Sequence, residues 1–497
     1  MSSKVEERFG YKFQAKDFTK FAPYGVSTND IRLITDYSEN PHIKAGLKTN
    51  ITPSIELYHP FLPSAMNTIS RAEMLKIFAL SGSIGFIDRG LSPKDQAAEL
   101  RKVKRYSPDV VHDPVTLNRG DKTDRVIQIK EKLGYDSVPI VDGNGVLEGV
   151  ISYKNIGTRY LGEYVKNVMK DIDPSAILLE TSTEDEIEVA LLNSGSKVYL
   201  VDEDKKLKGV VFYKDWERAK RYPNASKDDQ GRLRAGAAVG GAVTKDLELR
   251  AKLLADEGVD VYLIDVSQAA SRGVKKTIQY LRDEYPHIEI IAGNVDNYDA
   301  AAMLASWGAH AVKAGIGVGS ICKTTLQVGG GQPQGNAIAG CNLVCEEAGI
   351  YLIADGGIKY PKDAVIALAL GSHAVMGGNI FAGTKQTPGK VMRRQNQDGS
   401  YFEYKIYEGM GSIRNIIAAG GSRYYEDANA EDIIEHGVVK EIPYRGSVEP
   451  ILNDFINATA DAISCYYGFD SLRKFRQGDV WMTIQSAAAS AESAPSN

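Results

Sequence analysis

Between Lys245 and Gly378 the chain repeats one pattern: a helical stretch, a short turn, and a short apolar strand ending in Asp, Gly or Asn. The pairs are helix 245–257 with strand 261–265, 274–284 with 288–293, 298–307 with 311–315, 335–348 with 351–356, and 361–370 with 374–378. Upstream, Phe61–Thr68, a helical stretch 69–81 and the buried-strand pattern 82–88 supply strand–helix–strand again. Such alternation restricts the fold to an α/β class with a parallel sheet. A (β/α)8 TIM barrel and a doubly wound sheet both satisfy it. The number of units, and polar or glycine residues at every strand end, favour the barrel, whose strand ends all face one mouth.

The alternation is interrupted by an internal repeat. Ser137-Val-Pro-Ile-Val-Asp142 matches Lys197-Val-Tyr-Leu-Val-Asp202, and Gly149-Val-Ile-Ser152 matches Gly209-Val-Val-Phe212. Both offsets are 60 residues (197 − 137 and 209 − 149), and helices 124–133 and 184–192 precede the strand pairs. Two copies make a paired module and not a solenoid. The pair resembles a tandem CBS (Bateman) module. That resemblance implies an adenine or guanine nucleotide, its ribose held by an acid just after the Gly-Val strand; Asp215 fills this place in the second copy and Asn155 in the first. A purely structural module is the other reading. The expected organisation is an N-terminal part of the barrel at 1–106, CBS copies at 107–163 and 164–220, the rest of the barrel at 221–485, and an Ala/Ser-rich disordered tail at 486–497.

The densest chemistry lies in Gly315-Ile-Gly-Val-Gly-Ser-Ile-Cys-Lys-Thr-Thr325. Glycines let backbone amides and carbonyls approach a ligand; amides in such a loop make an anion nest, while carbonyls can face a cation. Ser320 adds a hydroxyl, and Cys322 at the rim of a positive field is a candidate nucleophile. A glycine turn with a buried structural cysteine fits the same spacing. Asp265, Asn294, the Asp355-Gly356-Gly357 turn and Met376-Gly377-Gly378-Asn379 stand at other strand ends, and in a barrel all would share one mouth. From 381 to 446 the pattern breaks into a hairpin around Asp398-Gly399, then Tyr407-Glu-Gly-Met-Gly-Ser412, Gly420-Gly-Ser-Arg-Tyr-Tyr425 and Ile442-Pro-Tyr-Arg-Gly446. A long insertion of this kind beside a mouth reads as a mobile flap.

Bulk properties remove other classes. The 497 residues carry a formal charge of −5 and no dense basic block, which argues against nucleic-acid binding. Four cysteines in so long a chain make no disulfide scaffold and fit a reducing, cytoplasmic compartment. No apolar run approaches a membrane span, and the polar N-terminus carries no secretory signal pattern.

The ordered set Ser64-Ala-Met66, the inserted pair, Lys227-Asp-Asp-Gln-Gly-Arg-Leu-Arg-Ala-Gly-Ala-Ala-Val-Gly240, Gly315–Cys322, Asp355-Gly-Gly357, Tyr407–Ser412 and Arg423-Tyr424 resembles the inosine-5′-monophosphate (IMP) dehydrogenase family from about Phe61 to about Arg473. The resemblance implies oxidation of IMP to XMP by NAD+, with Cys322 attacking C2 of the purine and a covalent thioimidate forming. It implies that Arg423 and Tyr424, assisted by Thr324, activate the hydrolytic water. Ser64, Met66, Ser320, Asp355, Gly356, Gly357, Gly377, Gly378, Tyr407, Gly409, Met410, Gly411 and His436 would line the IMP site. Asp265, Ser267, Asn294, Gly315 and Gly317 would line the NAD side, and carbonyls of Gly317, Gly319 and Cys322 would face a potassium ion. A homotetramer is the implied assembly, and CBS modules of this family can pair tetramers into octamers.

The chain departs from the family pattern at Asn67, Val266, Ala269, Glu408 and, in the late loop where an acid or amide is usual, His436. Two further readings stand beside the leading one. GMP reductase shares the barrel and cysteine but reduces GMP with NADPH, and the Arg423-Tyr424 pair argues against it. A catalytically impaired nucleotide sensor would account for Val266, Ala269 and His436.

Overall fold

The computed structural model describes residues 13–14, 25–39, 42–106, 110–112, 114–396, 399–412 and 437–485. It divides into two compact units, one formed by residues up to 104 and from 224 onward, the other by residues 105–223.

The larger unit is built on eight parallel strands: β1 (Phe61–Pro63), β2 (Phe86–Ile87), β3 (Gly236–Val239), β4 (Val261–Asp265), β5 (Glu289–Val295), β6 (Ala311–Ala314), β7 (Tyr351–Asp355) and β8 (Ala374–Gly377). They pair in the order β1-β8-β7-β6-β5-β4-β3-β2, a nearly closed barrel. Across the seam the Ser83 hydroxyl donates to the Phe61 carbonyl at 2.7 Å. The barrel reading is therefore correct, and the doubly wound alternative is excluded.

Side chains alternate across each strand, and one set fills the interior. Leu62, Phe86, Ala238, Val261, Leu263, Ile291, Ala311, Ile353, Ala374 and Met376 form a single buried cluster with Ile51, Ile55 and Leu57 from the segment entering β1. Burying strands on both faces requires near-continuous apolar runs, which is why β4 reads Val-Tyr-Leu-Ile before its terminal Asp265. Continuing the inward register to the strand ends brings Asp265 after Leu263, Lys313 after Ala311 and Asp355 after Ile353 to the mouth.

Helices such as Lys245–Asp256, Arg272–Glu284, Tyr298–Trp307 and Gln334–Ala348 separate successive strands. Thr244, Ser271 and Asn297 cap three of them by accepting amide protons. Ser271 starts its helix at Arg272, two residues ahead of the sequence reading. The early helix spans Ala72–Leu80, shorter than 69–81, because Ile69 and Ser70 turn back onto the Met66 carbonyl. The irregular N-terminal arm contributes strands Phe13–Gln14 and Ile31–Leu33, both antiparallel to Trp481–Ile484 near the other end of the chain. Short-range pattern holds no signal for that pairing.

In the smaller unit, Ser137–Val141 pairs with Leu147–Ser152, and Lys197–Val201 with Leu207–Phe212. The two halves exchange pieces. Val111–His112 pairs with the second half's strand at Gly209–Val210, while Val165 and Val168, beyond the 163/164 division read from the sequence, pack in the first half's core.

Candidate active site

The strand ends and their loops line one cavity at the C-terminal mouth of the barrel. Ser64, Met66, Asp265, Ser267, Asn294, Gly315, Gly317, Gly319, Ser320, Cys322 and Thr324 line it. So do Asp355, Gly356, Gly357, Gly377, Gly378, Tyr407, Gly409, Met410 and Gly411. Every candidate within the described residues is thus brought to one place. Arg423, Tyr424 and His436 lie outside the described residues, as do Asp398 and the tail from 486.

The glycine loop has a geometric reason for its composition. Gly315 follows β6 with φ +137°, and a Cβ there would sit 2.1 Å from the Asp355 carbonyl oxygen. Only glycine lets adjacent strand ends approach so closely. Cys322 lies just beyond and its thiol donates to the Thr324 hydroxyl at 3.2 Å. The Val438 amide donates to the Ile321 carbonyl and the Gly409 amide to the Val438 carbonyl, so Gly437–Val438 clamps the cysteine loop to the Tyr407–Met410 segment. Gly409 and Gly437 are bare for this contact: a Cβ on Gly409 would meet the Gly437 Cα at 2.9 Å.

Three polar environments are distinguishable. First, the backbone N–H groups of Ser320, Gly357 and Gly378 have no acceptor among the described residues. The Tyr407 hydroxyl stands over Gly378, where an added Cβ would lie 2.6 Å from it. Burial pushes the Tyr407 phenol up, against the opposing effect of a hydrogen bond with Ser320. Free amides and neutral hydroxyls converging in this way make an anion nest.

Second, Asp355 uses Oδ2 for Lys313 and for Asn294 Nδ2 (3.0 Å), leaving Oδ1 without a partner among the described residues and open to a sugar hydroxyl. Asn294 also donates to the Gly315 carbonyl at 2.6 Å, which fixes its side chain in the cavity wall.

Third, the Ser267 hydroxyl oxygen is buried with no hydrogen-bond partner among the described residues. An orphaned polar atom in a cavity wall fits a ligand that supplies the missing bond. For a cation, the carbonyls of Gly317 and Cys322 accept no hydrogen bond among the described residues, whereas that of Gly319 accepts the Cys322 amide at 3.0 Å. A carbonyl oxygen has two lone pairs, so that single bond leaves Gly319 able to face an ion as the other two can.

The residue missed by sequence reasoning is Lys313. Its side chain is 3% exposed, and its ammonium bonds Asp265 Oδ1 at 3.2 Å, Asn294 Oδ1 and Asp355 Oδ2. Burial pulls its pKa down, but Asp355 and Asp265 outweigh that and hold it above the ordinary lysine value. The signal was present in the sequence: a lysine inside the apolar Ala311-Val-Lys-Ala314, in inward register with Asp265 and Asp355. Gln334 was missed as well; its amide ties the Ala314 and Asp355 carbonyls together.

Two of the departures from the family pattern, Glu408 and Ala269, are accommodated locally. Glu408 is buried and its Oε1 accepts the Ser412 hydroxyl at 2.7 Å. Ala269 is buried with its amide on the Asn294 carbonyl.

A second, small cavity lies in the smaller unit, lined by Val111, Pro139, Lys197, Tyr199 and Phe212 among others. The Tyr199 hydroxyl is buried without a partner among the described residues, and Lys197 reaches the Ser137 hydroxyl. Among the described residues no helix is long and apolar enough to cross a membrane.

A family model described as "IMP dehydrogenase / GMP reductase domain" matches residues 25–496. Inosine-5′-monophosphate dehydrogenase of Haemophilus influenzae is 36% identical over 433 residues, covering 86% of this chain and 87% of that protein. The enzyme of the same name from Halalkalibacterium halodurans is 33% identical over 471 residues, covering 94% and 95%. In structure, a cysteine-to-alanine variant of GMP reductase from Trypanosoma brucei, in complex with guanosine 5′-monophosphate, superposes with a TM-score of 0.84 at 25% identity, covering 97% of this chain and 99% of that one. With a family model over residues 25–496, relatives above 30% identity and near-complete coverage, the chain belongs to the IMP dehydrogenase / GMP reductase family.

Proposed function

We propose that this protein is an enzyme that oxidises IMP to XMP with NAD+. The observation that carries the reading is one cavity holding a thiol beside a hydroxyl (Cys322 and Thr324, 3.2 Å), a free anion nest at Ser320, Gly357 and Gly378, and an open Asp355 carboxylate oxygen. These suit a purine ring, a 5′-phosphate and a ribose in turn. The curated relatives named above are IMP dehydrogenases, which supports the same substrate.

In this reading Cys322, as its thiolate, adds to C2 of the IMP base. The C2 hydride passes to NAD+, giving NADH and a thioimidate on the sulfur. Water then adds at C2, the C–S bond breaks, and XMP leaves with the thiol regenerated. Asp265 and Ser267 face the dinucleotide, Ser267 through its unpartnered hydroxyl. Arg423 and Tyr424 activate the water. Carbonyls of Gly317, Gly319 and Cys322 would hold a potassium ion, whose charge would steady the cysteine loop. A purine nucleotide bound by the smaller unit, as the CBS resemblance implies, is part of the same reading.

The test is absorbance at 340 nm with IMP and NAD+, with XMP identified by chromatography. A rise that vanishes in Cys322→Ala, while IMP still binds, supports the reading; an unchanged rate in that variant sinks it. The structural likeness to GMP reductase favours a second reading, consumption of NADPH with GMP, which the same cuvette reports as a fall in absorbance.

A further inference from the structure

We propose that Lys440 is a phosphate-binding residue of this site, supplying a formal positive charge to the 5′-phosphate dianion of the bound mononucleotide. The inference rests on the mononucleotide reading above and adds a residue to it.

Lys440 lies on the strand Val439–Pro443, directly opposite Tyr407 on the strand Tyr401–Glu408. Directly opposed residues of an antiparallel pair send their side chains to the same face. The Tyr407 side chain goes to the mouth, where its hydroxyl meets the Gly378 region and lies 4.0 Å from the Met66 sulfur. Lys440 is exposed on the same face at the rim, and its ammonium donates to the carbonyl of the cavity-lining Ser320 at 3.1 Å. Ser320 is the residue whose amide and hydroxyl open the anion nest. The ammonium has no carboxylate partner among the described residues.

The need for such a charge is chemical. The groups assigned to the nest, Ser320, Gly357, Gly378 and Tyr407, are all neutral. A phosphate monoester is mostly a dianion at neutral pH. The Ser320 carbonyl is a weak substitute partner that an ammonium exchanges for phosphate oxygen by a small rotation of its flexible stem. The backbone pairing that brings Lys440 there is firm, because Val438 is tied to Ile321 and Gly409.

The experiment compares full-length wild type, Lys440→Met, Lys440→Arg and Lys359→Met, the last being a lysine of the cavity wall itself. IMP binding is measured by calorimetry and inosine binding by competition. The expected result is a roughly tenfold weaker Kd for IMP in Lys440→Met, with inosine affinity unmoved. Lys440→Arg should stay within threefold of wild type, and Lys359→Met should lose less than Lys440→Met. Raising salt from 50 to 300 mM should weaken IMP binding less in Lys440→Met than in wild type.

Wild-type affinity for IMP in Lys440→Met, equal loss for inosine, or equal loss in Lys359→Met overturns the proposal while leaving the mononucleotide reading intact. Wild type binding IMP no more tightly than inosine removes the mononucleotide reading, and Lys440 with it.

Discussion

Replacing Lys313 by methionine removes the charge at the centre of the mouth while nearly conserving volume. The ammonium is 3% exposed and lies between Asp265 and Asp355, 9% and 18% exposed. Removing one member of a buried charged cluster costs about 3–5 kcal/mol, because the remaining charges stay desolvated without a partner. Among the described residues Asp355 then keeps Asn294 Nδ2 at 3.0 Å as its remaining side-chain partner. Loss of its hold on a ribose hydroxyl should remove a charge-assisted hydrogen bond, about 1.5–3 kcal/mol, or roughly tenfold to a hundredfold in IMP affinity. The assay is calorimetric titration with IMP, beside the urea midpoint followed by near-ultraviolet circular dichroism. The decisive variant is the double one. Adding Asp265→Asn to Lys313→Met removes the uncompensated repulsion and should recover about 1–3 kcal/mol of the lost stability. If Lys313→Met binds IMP within twofold of wild type at an unchanged midpoint, or if Asp265→Asn deepens the loss, the ammonium is not what holds the two carboxylates.

Burial holds His59 and His373 down to about 3, Arg476 adding to the effect at His373. Both stay neutral in the folded state while the unfolded chain takes up protons below about pH 6.5. Their contribution is therefore complete above that pH and is lost as pH falls towards 3, at about 1.4 kcal/mol per pH unit for each histidine. Thermal melts between pH 7.5 and 5 should show the decline, and His59→Gln should flatten it by one proton; an unchanged slope would refute the assignment. Gly315→Ala forces a Cβ to 2.1 Å from the Asp355 carbonyl at a φ of +137°. It should abolish IMP binding with helix content retained, as read by calorimetry and circular dichroism. Arg423→Ala should slow hydrolysis more than hydride transfer, giving a stopped-flow burst of NADH; equal slowing of both steps would remove Arg423 from water activation.

Much of this protein was legible from local sequence because its fold is made of local units. Helix and strand periodicity depends on neighbours a few residues apart, so strand Val261–Asp265 and helices Tyr298–Trp307 and Asp124–Leu133 were readable to the residue. The candidate site was legible for a related reason. A barrel delivers every strand end to one mouth, so Asp265, Cys322 and Asp355 could be grouped before any distance was known. Their type and order within the family motifs supplied the roles. The inserted repeat announced itself through its fixed offset of 60 residues.

What the tertiary structure decided are relations between residues far apart in the chain. That Lys313 joins Asp265 to Asp355 depends on parallel register among three strands. That Lys440 lies opposite Tyr407 depends on an antiparallel pairing across more than thirty positions of sequence, 440 against 407. The N-terminal arm pairs with Trp481–Ile484, and Val111–His112 joins the second half of the repeat, both for the same reason. Backbone hydrogen bonds carry no residue identity, so pairings between distant strands leave little trace in composition or period. The sequence determined which chemistry this chain carries and the kind of scaffold that gathers it. Only packing decided which charges face one another there, because electrostatic partnership depends on distance in space and burial, not on separation along the chain.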